Sequence, residues 1–265
     1  MGMDAPIRLP SLFLSHGSPM LAVQDSPAGR FLDGLGELLP WPKAIVVASA
    51  HFMTDQPMVG GHVQPQTVHD FGGFPKELFE LRYAAPGAPD LAAEIAQRLH
   101  GAGIPARVRE NHGLDHGVWV PLRRMYPQAD IPVVPISVMP HGDAAQHVAI
   151  GRALAPLRDE GVLVVGSGGF VHNLGELDWR HADAPLMPWA GEFAQWMREK
   201  LEAHDIDALV DWHARAPHAQ RAHPTVEHLM PLFVALGAGG ETSAVRTLHR
   251  SHEFGSLALD AFAFD

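Results

Sequence analysis

Short apolar runs recur along the chain and are separated by segments with a different periodicity. Four runs are rich in Val, Ile and Leu and carry almost no charge. Continuous apolarity over a few residues is typical of strands that are buried on both faces of a sheet. These strand-like runs cover residues 12–14, 44–48, 131–138 and 162–165.

Between the strand-like runs, apolar residues are spaced by three and four positions, as on the buried face of a helix. Pro or Asp lies near several of the starts, which favours helix initiation. The predicted helices cover residues 27–39, 89–100, 143–158 and 188–204. This alternation predicts a three-layer α/β/α fold with a central mixed, mostly parallel sheet. Because no linker or repeat divides the chain, we expect a single domain over residues 1–265, closed over the sheet by the segment from about His213 onward.

Composition narrows the possible functions. The 265 residues include no cysteine, which excludes disulfide scaffolds, thiol enzymes and iron–sulfur sites. Against 30 Asp and Glu there are 19 Lys and Arg, a net charge of −11, so we expect neither a nucleic-acid nor a membrane partner. The start of the chain lacks a signal-like pattern, which favours a cytoplasmic protein. The 18 histidines are unusual, because histidine is the commonest metal ligand.

Each of the four strand-like runs is followed by a histidine. In open α/β sheets the ligand crevice lies beyond the carboxyl ends of the strands, so a shared metal or acid–base site is favoured. The histidines in question are His16, His51, His141 and His172. Since His141 stands between Pro140 and Gly142, we expect it to serve only a turn.

Glycines precede His172. The run of residues 166–169 lacks both the third glycine of a dinucleotide fingerprint and the Lys-Ser/Thr ending of a P-loop. We therefore expect a tight turn from strand to loop there, and no phosphate cradle.

Another candidate catalytic residue lies at the start of residues 118–126, a segment that is predicted to be a helix. An imidazole at a helix N-terminus feels the positive end of the helix dipole and tends to stay neutral, which suits His116 for catalysis. The alternative is a simple capping cluster, since Asp115 alone could cap the helix. His112 is a weaker candidate.

A further cluster covers residues 223–228. Pro224 suits the first turn of a helix, which Pro231 would then kink. On such a helix, the successive residues Glu227 and His228 point about 100° apart, so only one of them would face a given metal. The spacing does not choose between them. His62 and His69 are expected to stabilise a loop.

Six motifs together resemble the 4,5-DOPA extradiol dioxygenase family. This family belongs to the class III ring-cleaving dioxygenases, related to the catalytic subunit of protocatechuate 4,5-dioxygenase. The likeness covers nearly the whole chain in the right order. The motifs are LSHGSPM at 14–20, SAH at 49–51, HDFGGFP at 69–75, DHGVW at 115–119, GSG at 166–168 with VHNL at 171–174, and PTVEH at 224–228.

The resemblance implies roles for five histidines. His16, His51 and His228 would hold a divalent metal, His172 would be the acid–base residue, and His116 would contact substrate or oxygen. In the wider class a glutamate is the third ligand, so Glu227 remains an alternative to its neighbour.

The same resemblance also indicates which metal ion to expect. Fe(II) is expected for activity, although a three-histidine set lacks the carboxylate of the usual facial triad. With Zn(II), which favours four tetrahedral ligands, His172 could close the shell as a fourth ligand and leave an inactive site.

The implied activity is metal-dependent extradiol cleavage, by a single catalytic domain, of a DOPA-like or related catechol. Insertion of O₂ would open the ring to a semialdehyde. Phe71, Phe74 and Trp119 are candidates for stacking on the substrate, although aromatic residues near glycine loops are as often simple packing. The alternatives are a zinc-dependent hydrolase and a non-catalytic metal-binding module on the same fold.

The acidic composition adds a constraint on the substrate. A carboxylated catechol would need local positive groups to hold it. The nearest candidates along the sequence are Arg82, Arg123, Arg124 and Arg221.

Overall fold

The protein, described by a computed structural model over residues 8–265, is built on a mixed sheet of eight strands in the order β4-β3-β5-β2-β6-β1-β10-β7. The four central strands, β5, β2, β6 and β1, run parallel to one another. At one side of these, β10 pairs antiparallel with β1, and β7 pairs antiparallel with β10. At the other side, β3 pairs antiparallel with β5. The predicted mixed, mostly parallel sheet is confirmed. The ten strands are β1 (Ser11–Ser15), β2 (Ala44–Met53), β3 (Met58–Gly60), β4 (Arg107–Arg109), β5 (Val133–Val138), β6 (Val162–Gly168), β7 (Val245–His249), β8 (His252–Glu253), β9 (Leu257–Ala258) and β10 (Ala261–Phe264).

Helices cover both faces of the sheet, because successive side chains of each central strand point to opposite sides. In β2, Ile45 and Val47 pack with the first and fourth helices, whereas Val46 and Ala48 pack with the third and fifth. The three-layer prediction is therefore confirmed. The helices are α1 (Pro27–Leu38), α2 (Lys76–Glu80), α3 (Pro89–Gly101), α4 (His116–Met125), α5 (Ala144–Leu154), α6 (Pro188–Glu202), α7 (Ile206–Val210), α8 (Trp212–Arg215), α9 (Ala219–Ala222) and α10 (Met230–Gly239).

Two predicted helices differ from the observed ones. The helix expected to run to residue 158 ends at Leu154 and continues as a 3₁₀ helix, Ala155–Glu160, in which Pro156 lies in the first turn. The helix expected to begin near Pro224 begins only at Met230. Pro231 then lies in the first turn of α10. The N–H groups of a first turn have no acceptor within the helix, so proline, which lacks an N–H, breaks no hydrogen bond there and no kink forms.

The segment after His213 completes the sheet as well as covering it. Helix α10 packs on β6 and β1, while β10 and β7 extend the sheet beyond β1. The sequence pattern did not predict these two strands, nor the short β3 and β4, because runs of three to five residues carry little periodicity. Within residues 8–265, no helix combines the length and apolarity needed to cross a membrane.

A buried histidine in α5 makes the stability of this fold depend on pH. His147 has no exposed surface, its Nδ1 donates to the carbonyl of Asp143 (2.7 Å), and its Nε2 accepts the amide of Met139 (3.0 Å). Burial lowers the pKa of His147 below the ordinary value of 6.5. The unfolded chain therefore binds a proton here as pH falls below about 6.5, before the folded chain does, and the free energy of unfolding decreases.

We predict that His147→Gln weakens this pH dependence, because the amide oxygen of glutamine accepts the Met139 N–H without titrating. Urea unfolding between pH 5 and 7 should give a slope of stability against pH that is lower by up to about 1.4 kcal/mol per unit. The exposed His100 supplies the matched control, His100→Gln. Equal slopes for wild type and His147→Gln would contradict the assignment.

Candidate metal centre

Five histidines meet at the carboxyl edge of the parallel strands. Because β1, β6 and β2 are adjacent and parallel, His16 after β1, His172 after β6 and His51 near the end of β2 lie at one edge. His116 begins α4, and His228 lies just before α10. The predicted gathering of these side chains at one edge is thus what the structure contains.

Three of these imidazoles converge on one point. One nitrogen from each of His16, His51 and His228 lies within 4.8 Å of the others, and the Nε2 atoms of His16 and His51 are 3.0 Å apart. Two nitrogens bound to one ion at about 2.0–2.1 Å each would be roughly 3 Å apart for bond angles near 90–110°. The Nε2 atom of His228 is buried and has no hydrogen-bond partner among the described residues. The donor set therefore fits a divalent metal ion.

Burial keeps these three imidazoles neutral. It is the largest cause that lowers the pKa of His16 and of His228 far below the usual value, with neighbouring imidazoles adding to the effect. Burial and the nearby His116 lower the pKa of His51 to about 3, although the Asp70 carboxylate opposes them. At neutral pH each ring therefore keeps a free lone pair, the form in which imidazole binds metals.

The other nitrogen of each ring faces an oxygen that can orient it. Such contacts fix the tautomer and turn Nε2 towards the ion. The Nδ1 atoms of His16, His228 and His51 lie 3.1 Å from Ser167 Oγ, 2.9 Å from Glu227 Oε1 and 3.6 Å from Asp70 Oδ2. Nothing in the spacing of Ser167 or Asp70 along the chain signals a contact with a distant imidazole, so their part in the site is visible only in the fold.

His228 lies with His16 and His51, whereas Glu227 lies behind it. Residues 224–229 form turns before α10 and no helix, so the helical angle between neighbours does not apply. His228 joins His16 and His51, while Glu227 contacts the rear nitrogen of His228. A second group that could hold a metal consists of His172, Glu227 and His228. It shares only His228 with the three-histidine group.

The remaining two histidines flank the convergence point. The ring of His172 stacks on that of His228, with centroids 3.4 Å apart and planes inclined by 6°. Burial lowers the pKa of His172 to about 4, although Glu227 opposes this shift. The backbone amide of His116 donates to Asp70 Oδ1 (2.9 Å), and its Nδ1 lies 3.0 Å from Oδ2 of the same carboxylate.

The glycines of residues 166–168 belong to β6, so the expected tight turn is corrected. Their lack of side chains lets another backbone segment approach the strand. A Cβ on Gly166 would lie 2.0 Å from the carbonyl oxygen of Pro231, and one on Gly168 would lie 2.1 Å from that of His228. The same His228 carbonyl accepts the amide of Gly169 (2.8 Å). These contacts hold the His228 segment against the strand.

A cavity of about 220 Å³ opens over the five histidines. Phe71 and Phe74 line it, with ring centroids 5.4 Å apart in an edge-to-face arrangement. Trp119 does not, contrary to expectation: it is fully buried and its indole N–H donates to the carbonyl of Val68 (3.0 Å). The other lining residues are Gly17, Ser18, Pro19, Leu174 and Trp179.

The weaker histidine candidates lie outside the cluster, as expected. His112 stacks on Phe52 with centroids 3.5 Å apart, and His141 is exposed in a turn after β5. In the loop before α2, Nδ1 of His62 accepts the amide of Gln64 (2.9 Å), and His69 contacts the carbonyl of Leu81 (3.1 Å).

The four arginines considered for a carboxylated substrate all make other contacts. None is among the residues that line the histidine cavity in the described part of the chain. Arg82 donates to the backbone carbonyls of Phe79 and Leu81, and Arg123 donates to that of Ala22. Arg124 donates to the carbonyl of Leu21 and to the Asp33 carboxylate. Arg221 donates to both carboxylate oxygens of Glu176.

Comparison with known proteins identifies the family. Residues 10–259 match the family model described as the catalytic LigB subunit of aromatic ring-opening dioxygenase. The chain therefore belongs to the LigB family. The extradiol dioxygenase resemblance and enzyme class predicted from the sequence are confirmed. LigB dioxygenases are metal-dependent, and the structure contains a three-histidine group that could hold the metal.

Relatives of this LigB-family protein cover its full length. The 4,5-DOPA dioxygenase extradiol of Beta vulgaris is 41% identical over 100% of this chain and 99% of its own. The protein of the same name from Portulaca grandiflora is 42% identical, over 96% and 95% of the two chains. The crystal structure of an uncharacterized protein from Escherichia coli K12 matches with a TM-score of 0.82 and 35% identity, covering 97% of this chain and 100% of that one.

Because the His228 carbonyl lies so close to Gly168 in β6, we predict that adding one methyl group there lowers the stability of the protein. Gly168→Ala should lower the free energy of unfolding by about 1–3 kcal/mol, because the new Cβ would overlap the His228 carbonyl. Gly34→Ala is the matched control: it lies in α1 with no atom within 4 Å, and should stabilise the protein by about 0.5–1 kcal/mol. Urea unfolding measures both. An unchanged stability for Gly168→Ala would refute the close approach.

Proposed function

We propose that this LigB-family protein, acting as a single catalytic domain over residues 1–265, opens the ring of a catechol by extradiol insertion of O₂. The product would be a ring-opened semialdehyde. The main support is the convergence of Nε2 lone pairs from His16, His51 and His228 beneath a cavity walled by aromatic rings. Relatives named 4,5-DOPA dioxygenase extradiol favour a DOPA-like or related diol. A cytoplasmic location stays a prediction from the sequence.

We propose that His16, His51 and His228 hold the metal, with Fe(II) as the active ion. When bound, Fe(II) would provide neighbouring positions for the two catechol oxygens and for O₂, and would increase the acidity of the diol. Three neutral imidazoles leave the full positive charge of the ion for the catecholate. The Glu227 carboxylate lies behind His228, 2.9 Å from Nδ1, where it can orient the ring without binding the ion directly, and Asp70 lies 3.6 Å from Nδ1 of His51.

His172 is the proposed acid–base residue. Its ring lines the cavity beside His228, and burial keeps it neutral at neutral pH. It can therefore accept the proton of a catechol hydroxyl and return that proton as the ring opens. Glu227, which favours the charged ring, makes the transient imidazolium less costly.

His116 is the proposed stabiliser of negative charge on oxygen. Asp70 accepts its backbone amide, and the other carboxylate oxygen lies 3.0 Å from Nδ1 of the ring, which lines the cavity. Phe71 and Phe74 would contact the faces and edges of the aromatic substrate and exclude water.

A zinc-dependent hydrolase is the alternative function. It requires Zn(II) on His16, His51 and His228 with the fourth position left to water. His172, Glu227 and His228 lie close enough together to share an ion, so His172 can reach a metal near His228. If His172 bound Zn(II) as a fourth ligand, it would close the tetrahedral shell and leave the site inactive.

We predict that protein reconstituted anaerobically with Fe(II) converts a catechol under air to a yellow ring-opened product. One O₂ should be consumed for each catechol. Hydrolysis by the zinc form without O₂ uptake would instead select the alternative. Absence of turnover across DOPA, protocatechuate and simple catechols would contradict the proposal.

His172→Gln should lower kcat by about 10²–10⁴-fold while the bound iron stays at wild-type level, because an acid–base residue is lost and the ligands remain. His141→Gln is the matched control, since His141 also follows a strand of the sheet but is exposed in a turn. Oxygen uptake and metal analysis measure the two quantities. Loss of iron together with activity would make His172 a ligand.

A further inference from the structure

Next to His116 lies a buried carboxylate that none of the proposed catalytic steps uses. Asp115 is only 4% exposed and occupies the N-cap position of α4, yet its side chain makes no capping hydrogen bond to that helix. Its Oδ1 instead accepts the hydroxyl of Ser49 in β2 (2.6 Å), and its Oδ2 has no hydrogen-bond partner among residues 8–265. Burial raises the pKa of Asp115 to about 6, although the Ser49 hydroxyl opposes this shift. Because a buried acid without a donor is costly, the hydroxyl holds Asp115 at this place on the sheet.

A second serine binds the same turn of α4. Ser49 and Ser167 are register partners on the adjacent parallel strands β2 and β6, and neither has any exposed surface. Ser167 donates its hydroxyl to the backbone carbonyl of Gly117. Since its proton is used there, Ser167 Oγ is left to accept from Nδ1 of His16, 3.1 Å away. The two hydroxyls thus fasten the start of α4 to both strands.

This first turn of α4 packs directly on a proposed metal ligand. Ser49 Oγ also accepts the backbone amide of His51 (3.2 Å). A Cβ on Gly117 would lie 2.6 Å from Ser49 Oγ and 3.1 Å from Cδ2 of the His51 ring, so no side chain fits between them. The ring of His116 lies beside that of His51, with centroids 3.9 Å apart. Any shift of the turn would therefore move His116 relative to the three-histidine group.

We propose that Asp115 and Ser49 are positioning residues, whose hydrogen bond fixes His116 beside the three-histidine group. The inference rests on the proposed function, because that function gives His116 its task. Neither Asp115 nor Ser49 is among the residues that line the histidine cavity in the described part of the chain, so both act through His116. A misplacement of about 1 Å in a catalytic group costs on the order of 10²-fold in rate.

Substitutions separate positioning from folding. With Fe(II)-loaded protein and DOPA, Ser49→Ala and Asp115→Ala should each lower kcat by about 10–10²-fold, with KM within about threefold and the iron content at wild-type level. Asp115→Asn should recover most of the kcat, since its amide oxygen still accepts the Ser49 hydroxyl. Ser137→Ala is the matched control. Ser137 is the β5 register partner of Ser49 and is equally buried, but its hydroxyl oxygen contacts Thr54 and the amide of Met58.

Three results of these assays would overturn the inference. The first is an equal loss of kcat in Ser137→Ala, which would show a general effect of removing a buried hydroxyl. The second is an Asp115→Asn variant as impaired as Asp115→Ala, because the hydrogen bond would then not be what matters. The third is a loss of iron in Ser49→Ala that matches the loss of activity.

Crystal structures of the variants measure the placement of His116 without turnover. In Ser49→Ala, the His116 ring should be displaced relative to the His51 ring by about 0.5–1 Å, a shift large enough to affect catalysis. In Ser137→Ala the two rings should keep their wild-type separation. An unmoved His116 in Ser49→Ala would overturn the inference. A displaced His116, together with no O₂ uptake by the wild type with any catechol, would support the positioning pair and refute the ring-opening function.

Discussion

Desolvation of imidazole is the constraint on which this site depends. His16 and His228 lie almost wholly inside the protein, so the charged form of either ring is strongly disfavoured. Neutral rings can stand with their nitrogens 3 Å apart, as His16 and His51 do, where two imidazolium ions would repel each other. An inward-facing lone pair such as Nε2 of His228, which has no partner among residues 8–265, is itself costly. A bound cation relieves that cost, so burial and metal affinity are two aspects of one arrangement.

The sheet explains how ligands from distant parts of the chain meet. Parallel pairing of β1, β6 and β2 brings His16 and His51 to one edge without any local motif. The third ligand comes from a turn, and glycines in β6 let that turn lie against the strand. The oxygens of Ser167 and Glu227 then contact the rear nitrogens of His16 and His228, and Asp70 lies 3.6 Å from that of His51. Fold and metal geometry are thus linked through backbone contacts at β6.

Sequence reasoning succeeded where a feature repeats along the chain. The periodic helix at 27–39 is observed as Pro27–Leu38, and the histidines after buried strands meet as predicted. It failed where three-dimensional context decides. Trp119 lies in a motif beside His116 yet faces the core, because a helix turns neighbouring side chains about 100° apart. The exposure of Leu174 and Trp179 at the cavity rim has no signal in the sequence, since it depends on loops that meet only in the folded chain.

Anomalous diffraction at the iron edge, from crystals loaded with Fe(II) without oxygen, tests the central claim most directly. We expect one peak in contact with the Nε2 atoms of His16, His51 and His228, at roughly 2.0–2.3 Å from each. A peak held instead by His172, Glu227 and His228, or by His51, Asp70 and His116, would contradict the account.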